Sequence, residues 1–135
     1  MQTNKIKTIL IVEDDTNLCE LVSIRLQEHN FNVVPVSDGL KMFDKIRKVK
    51  PDLIILDVML PKIDGYKICG LLKKYDPYKE IPVIIFTARS GAEAINMTKE
   101  MGGDAYIAKP FDAKILIDKI NELLKNQEVK TEVSG

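Results

Sequence analysis

The chain has 135 residues, 45% of them hydrophobic and 30% charged, which is the composition of one globular domain large enough for a single core. Twenty basic and twenty acidic residues cancel, so no cationic surplus drives nucleic-acid binding, and no apolar stretch approaches the ~20 residues that span a bilayer. The polar start Met1-Gln2-Thr3-Asn4-Lys5 lacks a signal-peptide pattern, and Cys19 and Cys69 stand in no metal or redox spacing, so a cytoplasmic location with two small buried cysteines is expected.

In chain order, apolar runs at 7–13, 32–36, 52–57, 81–87 and 105–108 alternate with helical patterns about 25 residues apart. The runs are rich in Ile and Val and nearly continuous, as parallel strands covered on both faces require. The first helix carries Leu18, Leu21, Val22 and Leu26 on one side, with Asp15 or Thr16 as N-cap. The second spans about Gly39 to Val49 with Met42, Phe43 and Ile46 inward, and the third follows Asp64-Gly65 with Ile68, Leu71 and Leu72. The fourth spans about Ala92 to Met101 and stops at Gly102-Gly103; the fifth starts at Asp112 as N-cap and ends near Asn126. Residues 127–135 are polar and unpatterned, and a frayed tail is expected there.

Five strand–helix units in strict alternation imply an α/β fold: an open, doubly wound, five-stranded parallel sheet, with strand order 2-1-3-4-5 expected. Function in such sheets collects at the carboxyl ends of the strands. The chemistry-bearing residues lie there: Glu13-Asp14-Asp15 after the first run, Asp57 ending the third, Thr87 ending the fourth and Lys109-Pro110 after the fifth. Two carboxylates ~4 Å apart repel by roughly 4 kcal/mol at an effective dielectric near 20, so such a cluster calls for a cation or a held proton. Acids, a hydroxyl and an ammonium together are the parts of a phosphoryl-transfer centre built on a hard metal ion.

These residues carry a family resemblance. Ile9-Leu10-Ile11-Val12-Glu13-Asp14, Pro51 through Pro61, Asp64-Gly65, Pro82 through Ala88 and Gly102 through Phe111 stand in the order and spacing of a response-regulator receiver domain, the phosphoacceptor module of two-component signalling. The resemblance covers about residues 6–126, with 127–135 as a polar tail, and implies a flavodoxin-like (βα)5 fold. It implies Asp57 as the phosphorylated aspartate, Glu13 and Asp14 as the metal-binding pair, Thr87 as the switch hydroxyl and Lys109 as the family's lysine. It further implies Mg²⁺ held by Glu13, Asp14, Asp57 and the backbone carbonyl of Met59, an aromatic switch at Tyr106, and a cis Lys109-Pro110 bond. Met59 and Arg89 match positions that tune aspartyl-phosphate lifetime in the family.

Bland readings compete at several positions. Asp15 and Asp112 taken alone read as helix caps, and His29, the single histidine, as a surface residue. Tyr106 on chemistry alone is as well explained by a ring lying along the surface. Lys45, Arg47, Lys48 and Lys50 read as a solvated helix face.

The family's usual output face is the fourth helix, fifth strand and fifth helix. Where its DNA-binding members carry charges for dimerisation, this chain has Ile95, Ala105 and Ile115, with Glu100, Asp104 and Lys119 retained. An apolar docking patch at Ile95 and Ile115 for an unknown downstream protein, on a monomer or weak dimer without direct nucleic-acid or membrane contact, is the expectation. The leading function is a non-enzymatic switch phosphorylated by a sensor histidine kinase. A relay intermediate serving a histidine phosphotransfer protein, and a fragment of a larger response regulator, are the alternatives. An aspartate-nucleophile hydrolase is disfavoured because Met59 stands where its second aspartate belongs, and a flavin binder because Glu13-Asp14-Asp15 would repel the flavin phosphate.

Overall fold

The computed structural model describes residues 5–89 and 91–134, with side chains up to residue 128. Five strands, β1 (Thr8–Val12), β2 (Asn32–Val36), β3 (Leu53–Asp57), β4 (Val83–Thr87) and β5 (Ala105–Ala108), alternate with five helices, α1 (Thr16–Glu28), α2 (Gly39–Val49), α3 (Gly65–Lys74), α4 (Ala92–Glu100) and α5 (Ala113–Ser134). The strands form one parallel sheet in the order β2-β1-β3-β4-β5, the flavodoxin-like arrangement expected.

The sequence pattern explains the layering. Every residue of β3 and β4 is buried, because Ile, Leu and Val side chains leave both faces of these central strands and meet helices above and below. On one face Leu10, Ile54 and Ile85 pack with Met42 and Ile46 of α2 and with Ile68 and Leu72 of α3. On the other Ile9, Ile55 and Ile84 pack with Val22 and Leu26 of α1 and with Leu116 and Ile120 of α5. The edge strand β2 carries Pro35, which has no N–H for a ladder and is tolerated at a sheet margin.

Aspartates start four helices. Asp15, Asp38, Asp64 and Asp112 accept backbone N–H groups of Leu18, Leu40, Tyr66 and Ile115, at 3.1, 2.7, 2.9 and 3.1 Å. The choice between Asp15 and Thr16 is thereby settled for Asp15. α4 differs: Gly91 precedes it with φ +92°, no side chain caps it, and its buried residues are Ala94 and Thr98.

Three expectations need correction. Leu21 and Leu71 were expected inward, yet they are 49% and 56% exposed, because a helix on a sheet buries a narrow stripe and both lie at its margin. Three of the apolar runs also trim by a residue or two, to Thr8–Val12, Leu53–Asp57 and Val83–Thr87. α5 does not end near Asn126 but continues to Ser134, so the polar segment extends the helix rather than fraying; Gly135 lies outside the described residues. No helix among the described residues is long and apolar enough to cross a membrane.

Candidate functional site

The carboxyl ends of β1 and β3 lie side by side where the strand order reverses, with Val12 in register with Leu56. Each strand therefore delivers its terminal acid to the same place. Carboxylate oxygens of Glu13, Asp14 and Asp57 lie within 4.8 Å of one another, with Glu13 and Asp57 each 2% exposed and Asp14 open to solvent. Asp15, the third acid of the triplet, is turned to α1 as its cap. Asp52, which begins the third run, lies outside the strand and accepts the Thr8 N–H at 2.8 Å.

Lys109 enters from the end of β5. Its backbone N–H donates to the Thr87 carbonyl at 2.7 Å, and the Lys109-Pro110 peptide is cis, as expected. Its ammonium lies 3.3 Å from Asp57 Oδ2 and 2.6 Å from Glu13 Oε1, and 5.1 Å above the Phe86 ring. The closer partner is thus Glu13, which sequence reasoning did not foresee. The extra methylene of glutamate over aspartate is the signal that could have suggested it. Phe86, the residue before Thr87, is a second unforeseen member; it stacks edge-on to Phe111 at 6.1 Å and walls the lysine.

The electrostatics follow from burial. Desolvation raises the Glu13 carboxyl from 4.5 to about 7; the Lys109 ammonium and the Asp15 N–H pull against that rise, and Asp57 adds to it. For Lys109, burial acts to lower the ammonium, but Glu13 and Asp57 outweigh it and the net shift is upward. Glu13 Oε1 forms a close ion pair with the ammonium, and Glu13 Oε2 accepts the Asp15 N–H at 3.1 Å. Asp57 Oδ1 accepts the Met59 N–H at 2.9 Å. All the donors facing the cluster centre are hard carboxylate oxygens, which fits a hard divalent cation.

Thr87 is fully buried at the end of β4, one residue beyond the position in register with Asp57, and its hydroxyl accepts the Arg89 N–H at 3.0 Å. The half-buried Tyr106 donates its hydroxyl to the Arg89 carbonyl at 2.8 Å. One loop residue thus holds both expected switch side chains through its backbone. Gly65 permits a close approach at the site: a Cβ there would stand 2.4 Å from Val58 Cα and 2.5 Å from the Asp57 carbonyl oxygen. His29 is exposed at the end of α1, and both cysteines are buried and free.

Residues 9–121 match the response regulator receiver domain family. The chain belongs to that family. It is 35% identical over 120 residues to the DNA-binding dual master transcriptional regulator RpaA of Synechocystis, an alignment covering 89% of this chain and 50% of that protein. Among solved structures it is similar to a putative response regulator from Chloroflexus aurantiacus, with TM-score 0.86, 32% identity and coverage of 90% of this chain and 99% of that one. A CheY-like receiver domain protein from Methanospirillum hungatei gives TM-score 0.85 at 28% identity, covering 93% and 99%. The chain spans about half the length of the curated relatives it matches. As a receiver domain it has the acidic pocket typical of phosphoacceptor switches, which are regulators rather than conventional enzymes, and the pocket is consistent with a divalent-metal site.

Proposed function

We propose that the chain is a phosphorylation-activated signalling switch in which Asp57 takes a phosphoryl group from a histidine kinase in a Mg²⁺-dependent reaction. One observation carries this reading: a buried aspartate at the end of β3 shares an ammonium with a second buried acid, beside a third that is open to solvent. Glu13, Asp14, Asp57 and the Met59 backbone carbonyl would hold the ion, which when bound supplies positive charge against the phosphoryl oxygens.

The chain's own part can be followed atom by atom. An Asp57 carboxylate oxygen bonds to phosphorus as the P–N bond of the donor phosphohistidine breaks. The departing imidazole nitrogen keeps the bonding pair and takes a proton from solvent. Lys109, already beside Asp57, offers its ammonium to a phosphoryl oxygen, and Thr87 offers its hydroxyl to another. For Thr87 this adds a donated bond to the one its oxygen accepts from the Arg89 N–H, and the same loop backbone holds Tyr106. The loop thus couples a local charge event to the side chain of Tyr106.

The output would appear on α4, β5 and α5. α4 suits a movable element, since it is nine residues long, lacks a side-chain cap and buries little. Ile95 and Ile115 are 42% and 57% exposed, the apolar patch expected for a downstream protein. Asp104, one of the charges retained there, instead ties Lys73 of α3 to the β4 backbone, with its Oδ2 at 2.7 Å from the ammonium and 2.8 Å from the Val83 N–H.

The test is incubation with acetyl phosphate and Mg²⁺, followed by intact mass. The native chain is expected to gain one phosphoryl group, labile to hydroxylamine, and Asp57→Ala none. Equal modification of both would overturn the assignment. Phosphorylation-dependent binding that survives Ile115→Asp would overturn the output face.

A further inference from the structure

We propose that the groove between α2 and α3 docks an acidic, helical segment of a partner protein, taking one apolar side chain from it, whether or not Asp57 is phosphorylated. The groove has a volume of about 300 Å³ and is lined by Phe43 and Arg47 of α2, Leu71 and Tyr75 of α3, and Tyr78 just beyond. Phe43 and Tyr78 rest partly on the core beneath, but the core does not cover Leu71 and Tyr75. α2 buries Met42 and Ile46, and α3 buries Ile68, Cys69 and Leu72, whereas Leu71 and Tyr75 are each 56% exposed. Leu40, 60% exposed, continues the apolar line one turn before Phe43 along α2. Tyr75 and Tyr78 brace one another at 5.1 Å between ring centroids, so the groove wall is set before anything binds.

Charge identifies the occupant. In a chain of zero net charge, the span 39–50 carries Lys41, Lys45, Arg47, Lys48 and Lys50 against the single acid Asp44. Residues 65–80 add Lys67, Lys73, Lys74 and Lys79 against Asp76 and Glu80. Arg47 pairs with Asp44, Lys73 with Asp104 and Lys79 with Asp76, but Lys67 and Lys74, one turn to either side of Leu71 on α3, have no carboxylate within ion-pair distance among the described residues. An apolar groove rimmed by cations is complementary to an amphipathic helix with an acidic face and one large apolar anchor. The concavity favours an inserted side chain over a flat lipid surface. A second copy of the same face would set cation against cation.

Position argues for independence from phosphorylation. Helices in this fold run back along the strands, so the carboxyl ends of α2 and α3, where Arg47, Tyr75 and Tyr78 lie, stand at the opposite edge of the sheet from Asp57. The surface would hold the regulator near a partner in both signalling states.

The probe is a synthetic helical peptide of Glu and Ala around one central Trp, titrated into the ¹⁵N-labelled full chain with NMR detection. Amide shifts are expected at Phe43, Leu71, Tyr75 and Tyr78, the same with and without beryllofluoride and Mg²⁺. Replacing Glu by Lys or Trp by Ala in the peptide should abolish them, and raising salt from low to physiological strength should weaken binding by about tenfold. Tyr75→Ala and the pair Lys67→Glu, Lys74→Glu should each weaken it to a similar degree while acetyl phosphate still modifies Asp57. Absence of shifts, shifts centred elsewhere, equal response to the Lys peptide, or tighter binding of phosphatidylglycerol vesicles through the same residues would each overturn the proposal. So would self-association through this face in sedimentation.

Discussion

The two ends of the sheet treat their acids differently. At the amino end Asp52 and Asp104 each accept a backbone N–H from the neighbouring strand, Thr8 and Val83, and Asp104 also meets Lys73. Those oxygens face donors. At the carboxyl end Glu13 and Asp57 also each accept one backbone N–H, from Asp15 and Met59, but they face each other with a single ammonium between them. The acids at the amino end meet donors one by one, whereas at the carboxyl end two buried carboxylates, with Asp14 close by, share one ammonium. Substitutions at the two ends should therefore move different quantities.

The largest effect is expected for Asp57→Asn: complete loss of acetyl phosphate labelling with the urea midpoint at or above that of the parent, since a neutral amide relieves repulsion with Glu13. A marked fall in stability would erase the contrast. Asp104→Ala should do the reverse. It leaves the Val83 N–H without its acceptor and the Lys73 ammonium with only the Ile81 and Lys79 carbonyls, and should cost about 1–3 kcal/mol in urea unfolding, with labelling of Asp57 unchanged.

Glu13 sharpens the comparison through pH. Its folded-state pKa of about 7 lies above the 4.5 of the free group. Between these values the folded chain holds more protons than the unfolded one, so metal-free stability should fall as pH rises from about 4.5 to about 7, then level off. Glu13→Gln should remove that fall, leaving the variant more stable than the parent at pH 8 in chelator and no better at pH 4.5; urea titrations at the two pH values decide it. Smallest is Asp112→Ala, which deletes the exposed cap of α5 and should cost about 1 kcal/mol with no change in labelling.

Much of this was legible in the sequence because strong local signals and the global fold agree. Near-continuous Ile and Val runs, separated by helical spacing, leave a parallel sheet as the natural solution. Its strand ends then gather Glu13, Asp14, Asp57 and Lys109. What was not legible depends on distances that periodicity does not carry. The preference of Lys109 for Glu13 rests on the length of one side chain. Leu21 and Leu71 fit the helical repeat but fall outside the buried stripe, whose width is set by packing on the sheet. The extension of α5 had a signal of another kind: after Asn126 no glycine or proline appears until Gly135, so nothing in the chain tells the helix to stop.

Gly65 has a consequence for anyone who would transplant this pocket. With backbone atoms of residues 57 and 58 within 2.5 Å of where a methyl group would sit, even alanine would push the main chain of Asp57 out of place. A donor scaffold would need to supply that bare position along with the charged side chains, because the aim of the carboxylate is set as much by an atom that is missing as by those present.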